Sequence, residues 1–267
     1  MKNNSFGLRQ TTIFNLIVCT GLQLLSAQTN VCPSRPGNTT IEVRAINSNY
    51  RIATATTGGA FATGQDANLL LSGFDFNNAG GPLQFNHLGG IASDGTRLAV
   101  CDRFNNRVLI WNHLPTSNTP PDLVIGQPDF YQNNPGSTRS RLNWPASVRI
   151  TPTGQMIVVD GYNDRVLIWK SFPTSLGQPA DVEIRHQNLV WPWGAWTDGE
   201  RLAVTSTGRS RVLMWRTFPS VDNHPPDYEL TADNMMGTPR TITSNGVYFI
   251  VGDHNSKTTN GPQGNFV

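Results

Sequence analysis

The chain has 267 residues, of which 37% are hydrophobic and only 14% charged, with 25 glycines and 18 prolines. That is too apolar for a disordered chain, and the glycine and proline content suits many short strands joined by turns. The formal net charge is +2 with no long acidic or basic block, which excludes a polyanion-binding tail.

Residues 1–27 read as a secretory signal peptide. Lys2 and Arg9 form a basic start, Ile13 to Leu25 is mostly apolar, and Ser26-Ala27 offers small residues for cleavage after Ala27. The apolar stretch is too short and interrupted to span a membrane. A lipid-anchored alternative through Cys19 would want a small residue where Val18 stands. The expected location is therefore secreted or periplasmic. Removing this segment takes away Lys2 and Arg9 and no acid, so the remaining 18 basic side chains balance 18 acidic ones. A neutral chain has no bulk attraction for nucleic acid. Two cysteines remain, Cys32 and Cys101. An oxidising compartment would permit them to pair, while the apolar strand around Cys101 reads equally as a small buried side chain.

Residues 28–65 contain no clear repeat unit and read as a leader or a partial blade. From residue 66 to 267 the chain repeats itself. Asp102-Arg103-Phe104-Asn105-Asn106, Asp160-Gly161-Tyr162-Asn163-Asp164 and Ser206-Thr207-Gly208-Arg209-Ser210 each run into Arg-Val-Leu-(Ile/Met)-Trp, ending at Trp111, Trp169 and Trp215. The Trp-to-Trp periods are 58 and 46 residues, the longer one carrying an inserted loop from Gln127 to Asn143. Upstream of each unit lies a small-apolar run, Leu98-Ala99-Val100, Met156-Ile157-Val158-Val159 or Leu202-Ala203-Val204. Downstream comes a Pro-x-Asp turn ending at Asp122, Asp181 or Asp227, and then a short alternating run. A fourth copy begins at Asn245-Gly246 and reaches Asp253.

Each unit predicts four short strands. The first starts near Leu88, Pro145, Pro192 or Pro239, the second is the small-apolar run, the third ends in Trp, and the fourth comes after the Pro-x-Asp turn. Four strands per unit is the signature of a propeller blade, so the predicted fold is an all-β propeller of four-stranded blades. The D-x-x-N-x-R-V-L-I-W units resemble NHL repeats. That resemblance implies a ring of five or six blades, more than the three complete copies and most of a fourth seen here. The register breaks over Thr258 to Gln263, and Val267 stands one residue before the next expected tryptophan. The expectation is an incomplete ring whose last blade has an unpaired edge.

Asp102, Asn105 and Arg107 recur as Asp160, Asn163 and Arg165, and recurrence in each blade points to a structural role. The Asp would accept turn amides, the Asn would take a left-handed turn, and the Arg would pair with the Asp. Trp111, Trp169 and Trp215 read as packing between blades. His87, Trp144, Trp191 and Thr238 share one position just before the first strand, at the channel mouth of a propeller, with Trp193 and Arg240 close by. Their variation between copies suits a binding site. The loop Tyr131 to Trp144 adds Arg139 and Arg141 as candidate ligand contacts. No metal-ligand spacing, catalytic motif or paired carboxylates stand out, and no cofactor is indicated. Some propeller lyases similar to this family hold metal with channel histidines, but only His87 falls at such a position.

The expected function is a non-catalytic binding scaffold for a protein, carbohydrate or other small molecule. The alternative is a propeller enzyme such as a metal-dependent lyase or lactonase, and RNA binding is a third reading that export and zero net charge oppose.

Overall fold

The computed structural model describes residues 29–31, 42–44, 69, 71, 81–232 and 235–256. The segment 1–27 read as a signal peptide, Cys32, most of the segment 28–65 read as a leader or partial blade, and the break in register beyond residue 256 lie outside the described residues. The chain divides into two units, residues 1–51 and 52–267. In the first, strand β1 (Thr29–Val31) pairs antiparallel with β2 (Glu42–Arg44), Thr29 opposite Arg44.

The second unit is a series of antiparallel blades. The first blade is β3 (Leu88–Ser93), β4 (Leu98–Asp102), β5 (Arg107–Trp111) and β6 (Leu123–Ile125), hydrogen-bonded in that order. The second is β7 (Pro145–Ile150), β8 (Met156–Asp160), β9 (Arg165–Trp169) and β10 (Val182–Ile184). The third is β11 (Pro192–Thr197), β12 (Leu202–Ser206), β13 (Arg211–Trp215) and β14 (Tyr228–Leu230). Of the fourth, β15 (Pro239–Ser244) and β16 (Phe249–Asp253) are described. The blades form an open series without a closed ring among the described residues. This is the incomplete propeller that the repeat count predicts.

Local chemistry explains the shared shape. Gly95, Gly154, Gly199 and Gly246 turn the first strand into the second with φ of 88°, 84°, 94° and 90°, a conformation that glycine adopts without a Cβ clash. The Pro-x-Asp turn is fastened by its acid. Asp122, Asp181 and Asp227 each accept the backbone N–H of the residue after the blade tryptophan, at 2.7 Å. The indole N–H groups of Trp111, Trp169 and Trp215 each donate to a carbonyl on the same connection, at 2.8, 3.1 and 2.9 Å. A buried indole thus has its polar atom satisfied while its rings fill the core.

The blades pack face to face through apolar layers. Ala99, Cys101, Val108 and Ile110 of the first blade meet Val148, Val158, Leu167 and Trp169 of the second. Ile157, Val159, Val166 and Ile168 of the second meet Ala195, Leu202, Leu213 and Trp215 of the third. The inner strands approach closely at Gly90, where a Cβ would meet Ser147 Cα at 2.7 Å and Val148 N at 3.0 Å. Each inner strand shifts register near its start, which re-aims the side chains there.

Candidate functional site

Between the second and third strands the chain makes a 3-10 turn, at Arg103–Asn105, Gly161–Asn163 and Thr207–Arg209. The residue after each turn is left-handed: Asn106, Asp164 and Ser210 have φ of 53°, 54° and 53°. The left-handed position therefore falls one residue later than the Asn105 and Asn163 that the sequence suggests. Asn105 and Asn163 instead use their side-chain amides, donating to Asp102 Oδ2 at 2.9 Å and Asp160 Oδ2 at 2.7 Å. Arg107 and Arg165 each donate Nε to the same oxygen at 2.8 Å. The other oxygen of each Asp accepts a backbone N–H of the chain leading into the first strand, from Asn86 and Asn143, both at 2.7 Å. These six side chains hold the turn and the lead-in together.

A second set of bonds crosses from blade to blade. Asn106 Oδ1 accepts the N–H of Trp144 at 2.9 Å, and Asp164 Oδ1 accepts that of Trp191 at 2.6 Å. These lead-in residues are themselves left-handed, with φ of 56° at His87, 56° at Trp144 and 46° at Trp191. Bulky residues avoid that region, and the surrounding bonds impose it.

The result is a run of rings along the lead-in ends of the first two blades. His87 stacks on Phe104 at 4.4 Å between centroids, Phe104 lies 4.6 Å from Trp144, and Trp144 lies 4.5 Å from Tyr162. His87 and Tyr162, at the two ends, are exposed. Trp191 packs edge-on against Trp193 at 5.5 Å. Trp193 in turn has two guanidiniums against its ring, those of Arg103 at 4.4 Å and Arg240 at 4.7 Å from the centroid.

The structure thus brings His87 and Trp144 into one run and Trp191, Trp193 and Arg240 into another. It ties Arg139 and Arg141 elsewhere. Arg139 donates to the Asp181 carbonyl at 2.7 Å and pairs with the Asp222 carboxylate, and Arg141 donates to Gln127 Oε1 at 2.8 Å. The Arg139 guanidinium thus fastens the inserted loop to the segments around Asp181 and Asp222, and that of Arg141 bonds within the loop, to its first residue. Sequence reasoning did not single out Phe104, Tyr162 or Arg103. The signal was present: these two turn positions read Arg-Phe, Gly-Tyr and Thr-Gly within an otherwise repeated frame.

Two further features offer less chemistry. A shallow cavity of about 500 Å³ is lined by Asp164, Arg185, His186 and Asn223 among others. Its Arg185 is already bonded to Glu183 at 2.5 Å and to the Asn163 carbonyl at 2.6 Å. Cys101 is fully buried, and that burial pushes its thiol up to about 12, so it is no nucleophile at neutral pH. Among the described residues no helix is long and apolar enough to cross a membrane, and no group of three or more His, Cys, Asp or Glu is placed to hold a metal.

No family model and no curated protein matches the chain. Solved structures share the architecture. The chain is 13% identical to the WD40 propeller domain of Doa1, with a TM-score of 0.42, covering 62% of this chain and 48% of that one. It is 14% identical to virginiamycin B lyase from Staphylococcus aureus, with a TM-score of 0.42, covering 67% and 51%. It is 13% identical to a candidate 6-phosphogluconolactonase from Bacteroides uniformis, with a TM-score of 0.46, covering 63% and 48%. The chain spans about half the length of these proteins, and the likeness is one of fold alone. It does correct one expectation. The sequence ranked a non-catalytic chain ahead of an enzyme; that ranking is withdrawn, since a lyase and a candidate lactonase stand beside a WD40 domain among the proteins of this fold, and the fold alone does not choose between them.

Proposed function

We propose that this chain is part of an exported NHL-type propeller enzyme of the lyase or lactonase kind, which takes a small molecule at the mouth of its blades. The carrying observation is the run His87–Phe104–Trp144–Tyr162, with ring spacings of 4.4, 4.6 and 4.5 Å and both ends open to solvent. Four rings contributed by two blades offer a continuous apolar surface for a flat ligand or the apolar face of a sugar. Asn106 of the first blade holds the Trp144 backbone, and the N–H groups of Phe104 and Tyr162 donate to the Asn86 and Asn143 carbonyls, so the surface is formed before a ligand arrives. His87 brings to this surface an imidazole, a group that can pass a proton, as both elimination and ring opening require.

The test is turnover of a panel of lactones and cyclic esters by the full chain, with Trp144→Ala and His87→Ala as variants. Trp144→Ala should raise KM with little change in kcat, and His87→Ala should lower kcat with little change in KM. Turnover that neither variant alters would place the reaction elsewhere. A complete absence of turnover, with ligands still bound and released by Trp144→Ala, would return the mouth to a purely binding role.

A further inference from the structure

We propose that Arg103 and Arg240, both packed against the Trp193 indole, form a binding site for an anionic oxygen group, a carboxylate or phosphate. The site rests on the mouth reading for where the remainder of a ligand would lie, since Trp193 is joined to that face through Trp191.

Two guanidiniums share one indole, at 4.4 and 4.7 Å from its centroid. Each cation is attracted to the ring, but the two repel each other. The Nε of Arg103 and the Nε of Arg240 are both buried and have no hydrogen-bond partner, the only two such side-chain atoms among the described residues. No Asp or Glu among the described residues pairs with either guanidinium. Two acids close to them are committed: Asp102, next to Arg103, to Arg107, Asn105 and Asn86, and Asp253, opposite Pro239 at the start of the Arg240 strand, to the backbone N–H groups of Gly237, Thr238 and Asn255. A buried cationic N–H without an acceptor is costly, and two facing one ring call for an acceptor of defined charge. Burial first, and then the neighbouring Arg240, pull the Arg103 guanidinium below its ordinary value, in keeping with an uncompensated pair.

The repeat shows that the frame does not require this arrangement. At the turn position of Arg103 the other blades carry Gly161, Thr207 and His254. At the strand position of Trp193 and Arg240 the first two blades carry Gly89 and Ala146. Arginine stands at the turn slot in the first blade alone, and it is this arginine that meets Trp193 and Arg240. A planar guanidinium fork matches the oxygens of a carboxylate or phosphate, and the indole packed on each guanidinium keeps water from that side of it.

Calorimetric titration of the full chain with inorganic phosphate, benzoate and benzyl alcohol, at constant ionic strength in chloride, tests the proposal. Phosphate or benzoate should bind saturably, and the better of the two identifies the anion. Arg103→Met and Arg240→Met should each weaken that binding at least about tenfold. Benzyl alcohol, which has no charge, should bind these variants as it binds the parent and should lose affinity in Trp144→Ala. If neither anion binds the parent, or both bind the arginine variants undiminished, the proposal fails. If phosphate binds as described and benzyl alcohol does not bind at all, the anion site stands and the aromatic-run reading falls. Melting without added anion gives a second readout. The methionine variants should melt at or above the parent, because a like charge has gone and methionine still packs on the indole. A lowered melting temperature with the phosphate response intact would make the arginines packing residues and overturn the site.

Discussion

Replacing Arg165 by Met should cost this protein far more than the same change at Arg211, although both occupy one position of the repeat. Arg165 and Asp160 are both fully buried and paired at 2.8 Å. The guanidinium also donates to the carbonyls of Ser137 at 2.7 Å, Thr138 at 3.0 Å and Arg141 at 2.8 Å. Methionine removes all four bonds and leaves a buried carboxylate facing no cation. Breaking a buried pair by deleting one partner costs about 3–5 kcal/mol. In the third blade the acid is replaced by Ser206. Arg211 there reaches the Arg209 carbonyl at 3.0 Å and Glu229 at 2.5 Å, with side chains 26% and 27% exposed. Deleting such a solvent-screened pair costs about 0.2–1 kcal/mol. Urea unfolding monitored by tryptophan fluorescence reads both, as a shift of midpoint at unchanged slope. The sign with pH is a second check. Burial already raises the Asp160 carboxyl against the pull of Arg165, and removing Arg165 raises it further. An acid with a raised folded value stabilises fully below its unfolded value of about 3.9 and loses that contribution as pH rises through the folded value. The deficit of Arg165→Met should therefore be greater at neutral pH than in acid. Equal costs at the two arginines, or a deficit that shrinks toward neutral pH, would refute the reasoning.

The same geometry sets other outcomes. Cys101, fully buried with its thiol pushed up to about 12, should resist iodoacetamide in the folded chain and react on denaturation, as mapped by mass spectrometry; labelling under native conditions would contradict the packing. Gly90→Ala would drive a Cβ against the Ser147 and Val148 backbone at 2.7 and 3.0 Å, and should lower stability by about 1–3 kcal/mol in the same urea experiment, whereas neutrality would mean that the inner strands have room. The Glu183 backbone N–H and Arg139 hold the Asp222 carboxyl below its usual range, so what it contributes is present above about pH 3.9 and fades as pH falls through its folded value; an NMR titration with an ordinary or raised midpoint would show the contact is not formed in solution.

The scaffold is legible because repetition supplies its own controls. Strand starts at Leu88, Pro145, Pro192 and Pro239 can be read by superimposing copies, and they are the starts observed. The site is only half legible, for the opposite reason. Arg103, Phe104 and Tyr162 sit inside a motif whose recurring members are structural, and the recurrence of their neighbours conceals their variation. Arg139 and Arg141 attract attention as charges in a long loop, but a carbonyl and a carboxylate of other segments engage Arg139, and the loop's own Gln127 engages Arg141. Spacing along one chain cannot reveal those partners, since Asp222 lies 83 residues from Arg139. The left-handed residue is misplaced by one position from sequence because both Asn105 and Asn106 are amides, and only the length of the 3-10 turn decides between them.

The bond from Asn106 to the Trp144 backbone also means that the genetic period and the mechanical period are out of phase. A copy cut at the sequence repeat severs a turn from the lead-in that it positions, half of the mouth going with each piece. The smallest transplantable cassette of this surface runs from the second strand of one blade to the first strand of the next. Shuffling whole repeats would preserve every blade yet rewrite each seam, so that new combinations of rings and charges arise at the junctions while the sheets themselves stay untouched.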